Sequence, residues 1–176
     1  MPIHLENLDS ITRNYMLSEV NMDFEKDSIY YSKYLKSGLE DSWNNIFIKA
    51  VIEHNDVWLE QQTEIQELLV KTYQKRNPTG GFTTTKVPYT ARQTLAEGEF
   101  NRFYCRGLCV RAIKEGKMVQ VYRGKNVANA RSESKQMIGQ IISPKELLDD
   151  LRTNVGVDTA LGLPAGPNSG LTIKLV

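Results

Sequence analysis

Histidine and cysteine each occur only twice in the 176 residues, and that scarcity removes whole classes of chemistry. Cys105 and Cys109 have no distant cysteine to bridge to, so a disulfide framework is excluded and both thiols are expected to be reduced. Being four residues apart, they would share a helix face. A structural zinc site needs four ligands, and only His4 and His54, both remote in sequence, could complete the set. Two small thiols packed on a helix is the simpler reading. Histidine-based catalysis would depend on the same two residues. His54 follows an apolar stripe, where a histidine commonly closes a helix C-terminus.

Long apolar runs are missing as well. None approaches the roughly 18 residues of a membrane helix. The opening MPIHLENLDS has neither the basic start nor the apolar stretch of a signal peptide, which makes the cytoplasm the expected compartment and membrane association unexpected. Repeats and low-complexity segments are absent too. No cofactor motif is visible: the glycines of Gly162 to Gly170 precede no Gly-Lys-Ser/Thr and run into a strand pattern rather than a helix N-terminus.

What is present describes a folded chain, with 40% apolar and 24% charged residues. The patterns predict an α+β fold in a single domain over 1–176, with a helical part at 1–116 and a strand-containing part at 117–176. Asp9 suits the N-cap of a first helix with Ile11, Tyr15, Met16 and Val20 on one stripe. Ser37 and Glu40 have capping-box spacing ahead of Trp43, Ile46, Phe47, Ala50 and Val51, which fall on one helical face. A third helix, capped by Asn55 or Asp56, would set Trp58, Ile65, Leu68 and Leu69 inward and end near Lys75 and Arg76. Asn77-Pro-Thr-Gly-Gly81 then breaks the chain. Phe82 to Tyr89 reads as an extended loop or edge strand because of Pro88.

Thr90 with Gln93 offers a second capping box, opening a long helix to about Glu115 with Gly116 as C-cap. On it Ala96, Phe100, Phe103, Tyr104, Gly107 and Leu108 form one stripe, with Arg92, Arg102, Arg106 and Arg111 largely elsewhere. Met118 to Tyr122 alternates as a strand, Ser143-Pro144 opens a short helix to Arg152, and Leu171 to Val176 alternates as a terminal strand after a loop over 161–170. The sheet should combine the strand near Val119, the last strand and the segment near Val87.

Charge is unevenly spread. Met1 to Val70 carries thirteen acidic and five basic residues, a net −8, whereas Arg102 to Lys135 carries nine basic and two acidic, a net +7. The two parts can pair within one fold, pair between copies, or present the basic segment to a polyanion. With Phe103, Tyr104 and Tyr122 interleaved, Arg102, Arg106, Arg111, Arg123, Lys125 and Arg131 are the candidate nucleic-acid or anion ligands. Glu133-Ser-Lys135 has the acid-x-lysine spacing of metal-dependent phosphodiesterases. Such a site needs a further carboxylate about one strand earlier, and none lies between Lys117 and Ser132. A nucleic-acid-binding protein or nuclease is the alternative function.

The stretch Thr90-Ala-Arg-Gln-Thr-Leu-Ala-Glu-Gly-Glu-Phe-Asn-Arg-Phe-Tyr104, together with Gly162-Leu-Pro-Ala-Gly-Pro-Asn-Ser-Gly-Leu171, resembles uncharacterised bacterial and prophage proteins, and small tailed-phage virion subunits share the general layout. That resemblance implies a structural subunit of an oligomeric assembly, a head or neck component located in the virion, which self-associates and meets other proteins. It assigns no functional residue.

Overall fold

A 25-residue helix, α4 (Ala91–Glu115), organises the molecule, because sixteen of its residues are buried rather than one stripe. The computed structural model describes residues 1–128, 132–156, 161–163 and 169–176. Around α4 lie α1 (Ser10–Glu25), α2 (Glu40–Glu53), α3 (Asp56–Ile65) and α6 (Pro144–Thr153), and α5 (Ser132–Met137) precedes α6. Strand β3 (Val119–Arg123) runs antiparallel to both β4 (Ile141–Ile142) and β5 (Leu171–Leu175), in the order β4-β3-β5. A separate antiparallel hairpin pairs β1 (Thr72–Arg76) with β2 (Phe82–Lys86). The architecture is α+β.

Local chemistry explains several helix ends. The Asp9 carboxylate accepts from the Thr12 N–H at 2.9 Å, and Asn55 caps α3 through the Trp58 N–H at 3.0 Å. Ser143 caps α6, with Pro144 at its first position. Gly116 closes α4 at φ 65°, in the left-handed region where glycine is unstrained. Trp43, Ile46, Phe47, Ala50 and Val51 are all buried, as their spacing demands. Phe47 meets Phe103 of α4 edge-on, with ring centroids 5.2 Å apart.

The sheet is tied to α4 by side chains. Asn101 donates to the Leu171 carbonyl at 2.8 Å, and the Tyr104 hydroxyl donates to the Ile173 carbonyl at 3.1 Å. Helix α1 approaches α4 closely at Gly107, where a Cβ would stand 2.7 Å from the Met16 backbone nitrogen. Glycine is what allows the two backbones to meet.

Several expectations are corrected. Helix α3 ends at Ile65, not near Lys75 and Arg76: Glu67 adopts φ 47° and the Leu68 N–H turns back to the Thr63 carbonyl at 3.1 Å. Residues 72–76 form β1 instead, and Asn77 to Gly81 is the hairpin loop, in which the Asn77 N–H donates to the Gly81 carbonyl at 2.7 Å. The β-branched, threonine-rich partner strand outweighs the helical pattern there. Val87 joins Lys71 at the hairpin base, where its N–H donates to the Lys71 carbonyl, and takes no part in the C-terminal sheet.

Helix α2 starts at Glu40 with Leu39 at its N-cap, so the Ser37 and Glu40 capping box is out of register. Thr90 caps α4 in position only; Gln93 instead donates to Glu97 at 2.8 Å. The buried stripe of α1 is Thr12, Met16, Glu19, Val20 and Asp23, leaving Ile11 exposed. Ile65 also faces outward. Of the loop expected over 161–170, residues 164–168 lie outside the described residues.

Candidate functional site

The opposed charges of the chain meet inside the fold. Arg106 is fully buried and donates to Glu19 Oε2 from Nε at 2.9 Å, and to both oxygens of Asp23 at 2.7 Å each. Arg152 grips the same Glu19 carboxylate, from Nε at 3.0 Å. Arg111 donates to Asp9 and Glu115, each at 2.7 Å. Burial alone would raise the Asp9 carboxyl, but the Thr12 N–H and the Arg111 guanidinium together hold it below the usual range. The first of the three pairings that the charge distribution allows is therefore realised for Arg106 and Arg111.

Of the remaining anion-ligand candidates, Arg123 and Lys125 bond within the fold and Arg102 is buried beside a carboxylate. Arg123 donates to the Ser169 carbonyl at 2.5 Å, Lys125 contacts Glu97, and Arg102 lies 3.0 Å from Glu99. Arg131 falls outside the described residues. Glu133 and Lys135 stand exposed on the short helix α5. Among the described residues, no group of three or more His, Cys, Asp or Glu side chains is arranged to hold a metal ion. Both cysteines are buried, and burial pushes the Cys105 thiol up to about 12 and Cys109 well above its usual value. His54 is the C-cap of α2 with its ring stacked on Trp58 at 4.0 Å. The guanidinium of Arg13, donating to the carbonyls of Ala50, Val51 and His54, is what satisfies that helix end. His4 is exposed near the sheet, with its carbonyl accepting from Tyr122.

Two features remain that the sequence reading did not assemble. The first is the hairpin. Lys71, Lys75, Arg76 and Lys86 are all exposed, and no acidic residue occurs between Glu67 and Glu97. None of the four cations meets an acidic partner among the described residues. The pairing register sets Thr72, Gln74 and Arg76 beside Lys86, Thr84 and Phe82 on one face, where Gln74 donates to Thr84 at 2.9 Å. The opposite face is tethered at its base by Tyr73, whose ring meets Tyr34 at 5.0 Å with the Lys33 ammonium over both rings. An isolated two-stranded hairpin is marginally stable in water. This one is anchored at one end and otherwise bare, with Phe82 69% exposed.

The second feature is a cleft of about 360 Å³ between the first turns of α4, the segment around Tyr30 and the start of β5. Gly98 opens its α4 wall, since a Cβ there would find no atom within 4 Å. Glu99 and Arg102 project from the same wall, and Lys33 and Tyr30 from the opposite one. Burial raises the Glu99 carboxyl despite the neighbouring Arg102 and Arg106 cations. The acid-free stretch around the hairpin was the available sequence signal for the first feature. The cleft had none, because its walls come from residues as far apart as Ile3 and Leu171.

Compared with protein-family models, with curated proteins and with solved structures, the chain matches none.

Proposed function

We propose that this chain is an interaction subunit of an oligomeric assembly, and that the β1–β2 hairpin is the arm by which one copy engages the next. The observation that carries the reading is the bare hairpin with its four unpaired cations. Residues 71–86 hold a net +4, so the rest of a chain whose total is +1 holds −3. The acidic partner surface is on the helices before the arm: Asp41 and Glu53 are exposed on α2, and Glu64 on α3 is exposed while also meeting Arg92 at 2.9 Å. A contact between different surfaces of identical copies is heterologous, the kind that builds rings or filaments. The narrower version, a tailed-phage head or neck component, rests on the sequence resemblance.

One observation favours a second reading. The outer face of the arm aligns Arg76 and Lys86 with Gln74, Thr84 and Phe82, and a two-stranded ribbon fits the major groove of a DNA duplex. Nucleic-acid binding would then reside on the arm and not on the segment from Arg102 to Lys135.

Light scattering behind size exclusion, at low and high salt, tests the first reading. The expected result is an oligomer at low ionic strength that dissociates as the Debye length falls from about 10 Å at 0.1 M to about 3 Å at 1 M. The triple variant Lys75→Ala, Arg76→Ala, Lys86→Ala should be monomeric throughout. A wild-type monomer at every concentration and salt overturns it. Salt-sensitive binding of a short duplex by that monomer, lost in the triple variant, would establish the second reading.

A further inference from the structure

Arg102 has a buried guanidinium whose donors are not satisfied. The residue is 3% exposed, yet among the described residues Nε and Nη1 meet no acceptor, and Nη2 stands 3.0 Å from Glu99 Oε2 without the alignment of a hydrogen bond. A guanidinium carries five N–H donors in a fixed planar fork. Leaving charged donors unpaired away from water is among the more costly arrangements a fold can hold, and such a group calls for an explanation at its own location. By contrast Arg106, one helical turn further along α4, is bidentate to Asp23 and also bound to Glu19. The difference between the two is that Arg102 lines the cleft and Arg106 does not.

We propose that the cleft is a binding site for a small organic monocarboxylate, with Arg102 as the residue that receives the carboxylate and the apolar walls receiving the body of the molecule. The site borders the base of the arm, because Lys33 and Tyr34 line the cleft and also meet Tyr73, but it does not rest on the function proposed for the arm. The volume of about 360 Å³ lies in the range of small-molecule pockets. Ile3, Ala91, Leu95 and Leu171 supply apolar surface, and Thr90 and Thr94 supply hydroxyls.

Charge chooses among anions. The cations at or touching the cleft are Lys33, Arg102 and Lys125, and the acids are Glu97 and Glu99, so with both acids ionised one positive charge is left over. A single negative charge balances it. A phosphate dianion would meet two carboxyl groups and exceed the available positive charge. A planar carboxylate also matches the guanidinium fork with two parallel hydrogen bonds.

Tyr30 forms part of the wall opposite Arg102. Its ring rests on Gly156, where a Cβ would lie 2.3 Å from ring carbons, and its hydroxyl is raised by burial first and by Glu99 second. The guanidinium nitrogens are shielded from bulk water, so binding at them requires lining side chains to shift.

Calorimetric titration of the full chain with benzoate tests the site, with benzamide as its neutral isostere and inorganic phosphate as the competing anion. Saturable binding of benzoate is expected, with benzamide and phosphate each weaker by about tenfold or more, the scale of a lost charge-assisted pair. Arg102→Lys keeps the charge but loses the fork, and should weaken benzoate by a similar factor. Gly98→Leu fills the cleft while leaving Arg102 in place and should abolish binding. It remains decisive if the arginine variant fails to fold. No saturable benzoate binding, tighter binding of phosphate, equal binding of benzamide, or unchanged affinity in Gly98→Leu would each overturn the proposal.

Discussion

The guanidinium of Arg106 on α4 donates to both carboxylate oxygens of Asp23 on α1, a residue 83 positions earlier, with no solvent access to the arginine. Glu19 completes the cluster and is shared with Arg152. Two acids and one fully buried cation are stable together because every charge has partners. Removing Arg106 alone leaves the buried Asp23 without its bidentate partner, beside a Glu19 held only by Arg152. Arg106→Met is therefore expected to destabilise the protein by about 3–5 kcal/mol. Arg106→Lys should recover only part of this, since an ammonium cannot form the planar bidentate contact. Urea denaturation followed by circular dichroism measures both, and a loss under about 1 kcal/mol for the methionine variant would contradict the assignment.

Two glycines on the same helix should respond in opposite directions to one methyl group. A Cβ at Gly107 would press on Met16 backbone atoms at 2.7 and 3.0 Å, so Gly107→Ala must push α1 away and should cost about 1–3 kcal/mol. Gly98 has open space, so Gly98→Ala should stabilise by roughly 0.5–1 kcal/mol through helix propensity alone. Melting temperatures of the two variants moving the same way would refute this packing.

Acid and neutral limbs of the stability curve should carry different residues. Asp9 has its carboxyl lowered in the folded state by Thr12 and Arg111 against the raising effect of burial, so its contribution is present above its unfolded value of about 3.8 and fades as pH falls below that. Asp56 is shifted the other way: burial raises it, although the Ile3 N–H donates to it and pulls it down. Its effect is to lose stability as pH rises above about 3.8 toward its folded value. Asp9→Asn should flatten the acid limb, whereas Asp56→Asn should gain relative to wild type between pH 4 and 7. Parallel curves for wild type and both variants would show that neither carboxyl is linked to folding.

The two thiols should be silent in the native protein. Cys105 is held near Asn101 Oδ1 at 3.7 Å and Thr172 Oγ1 at 3.8 Å, and burial keeps both cysteines protonated well above neutral pH. A thiol reagent at pH 8 should modify neither until denaturant is added, and then both. Rapid labelling of the native state, or stoichiometric zinc in purified protein, would contradict the packed-thiol reading.

The pattern Trp43, Ile46, Phe47, Ala50 and Val51 by itself determined the core face of α2, because five apolar side chains at helical spacing have only one way to leave water. Gly116 and the Ser143-Pro144 start were legible because each is decided by atoms within a few residues; the alternation from Leu171 marked β5, although pairing with β3 also buries Thr172 between Leu171 and Ile173. Residues 66–76 were not, since their composition allows a helix, and it is pairing with Phe82 to Lys86 across the loop that makes them a strand. The role of the arginines was even further from view. A window around Arg102 and Arg106 shows two basic residues four apart on a helix that also carries Glu99, Asn101 and Arg111. Only the placement of α1 against that helix turns Arg106 into the centre of a buried ion cluster, and only the cleft formed by the Tyr30 segment and β5 leaves Arg102 unsatisfied. Charge pairing and cavity shape depend on distances between residues remote in the chain, and those distances exist only once the elements have packed.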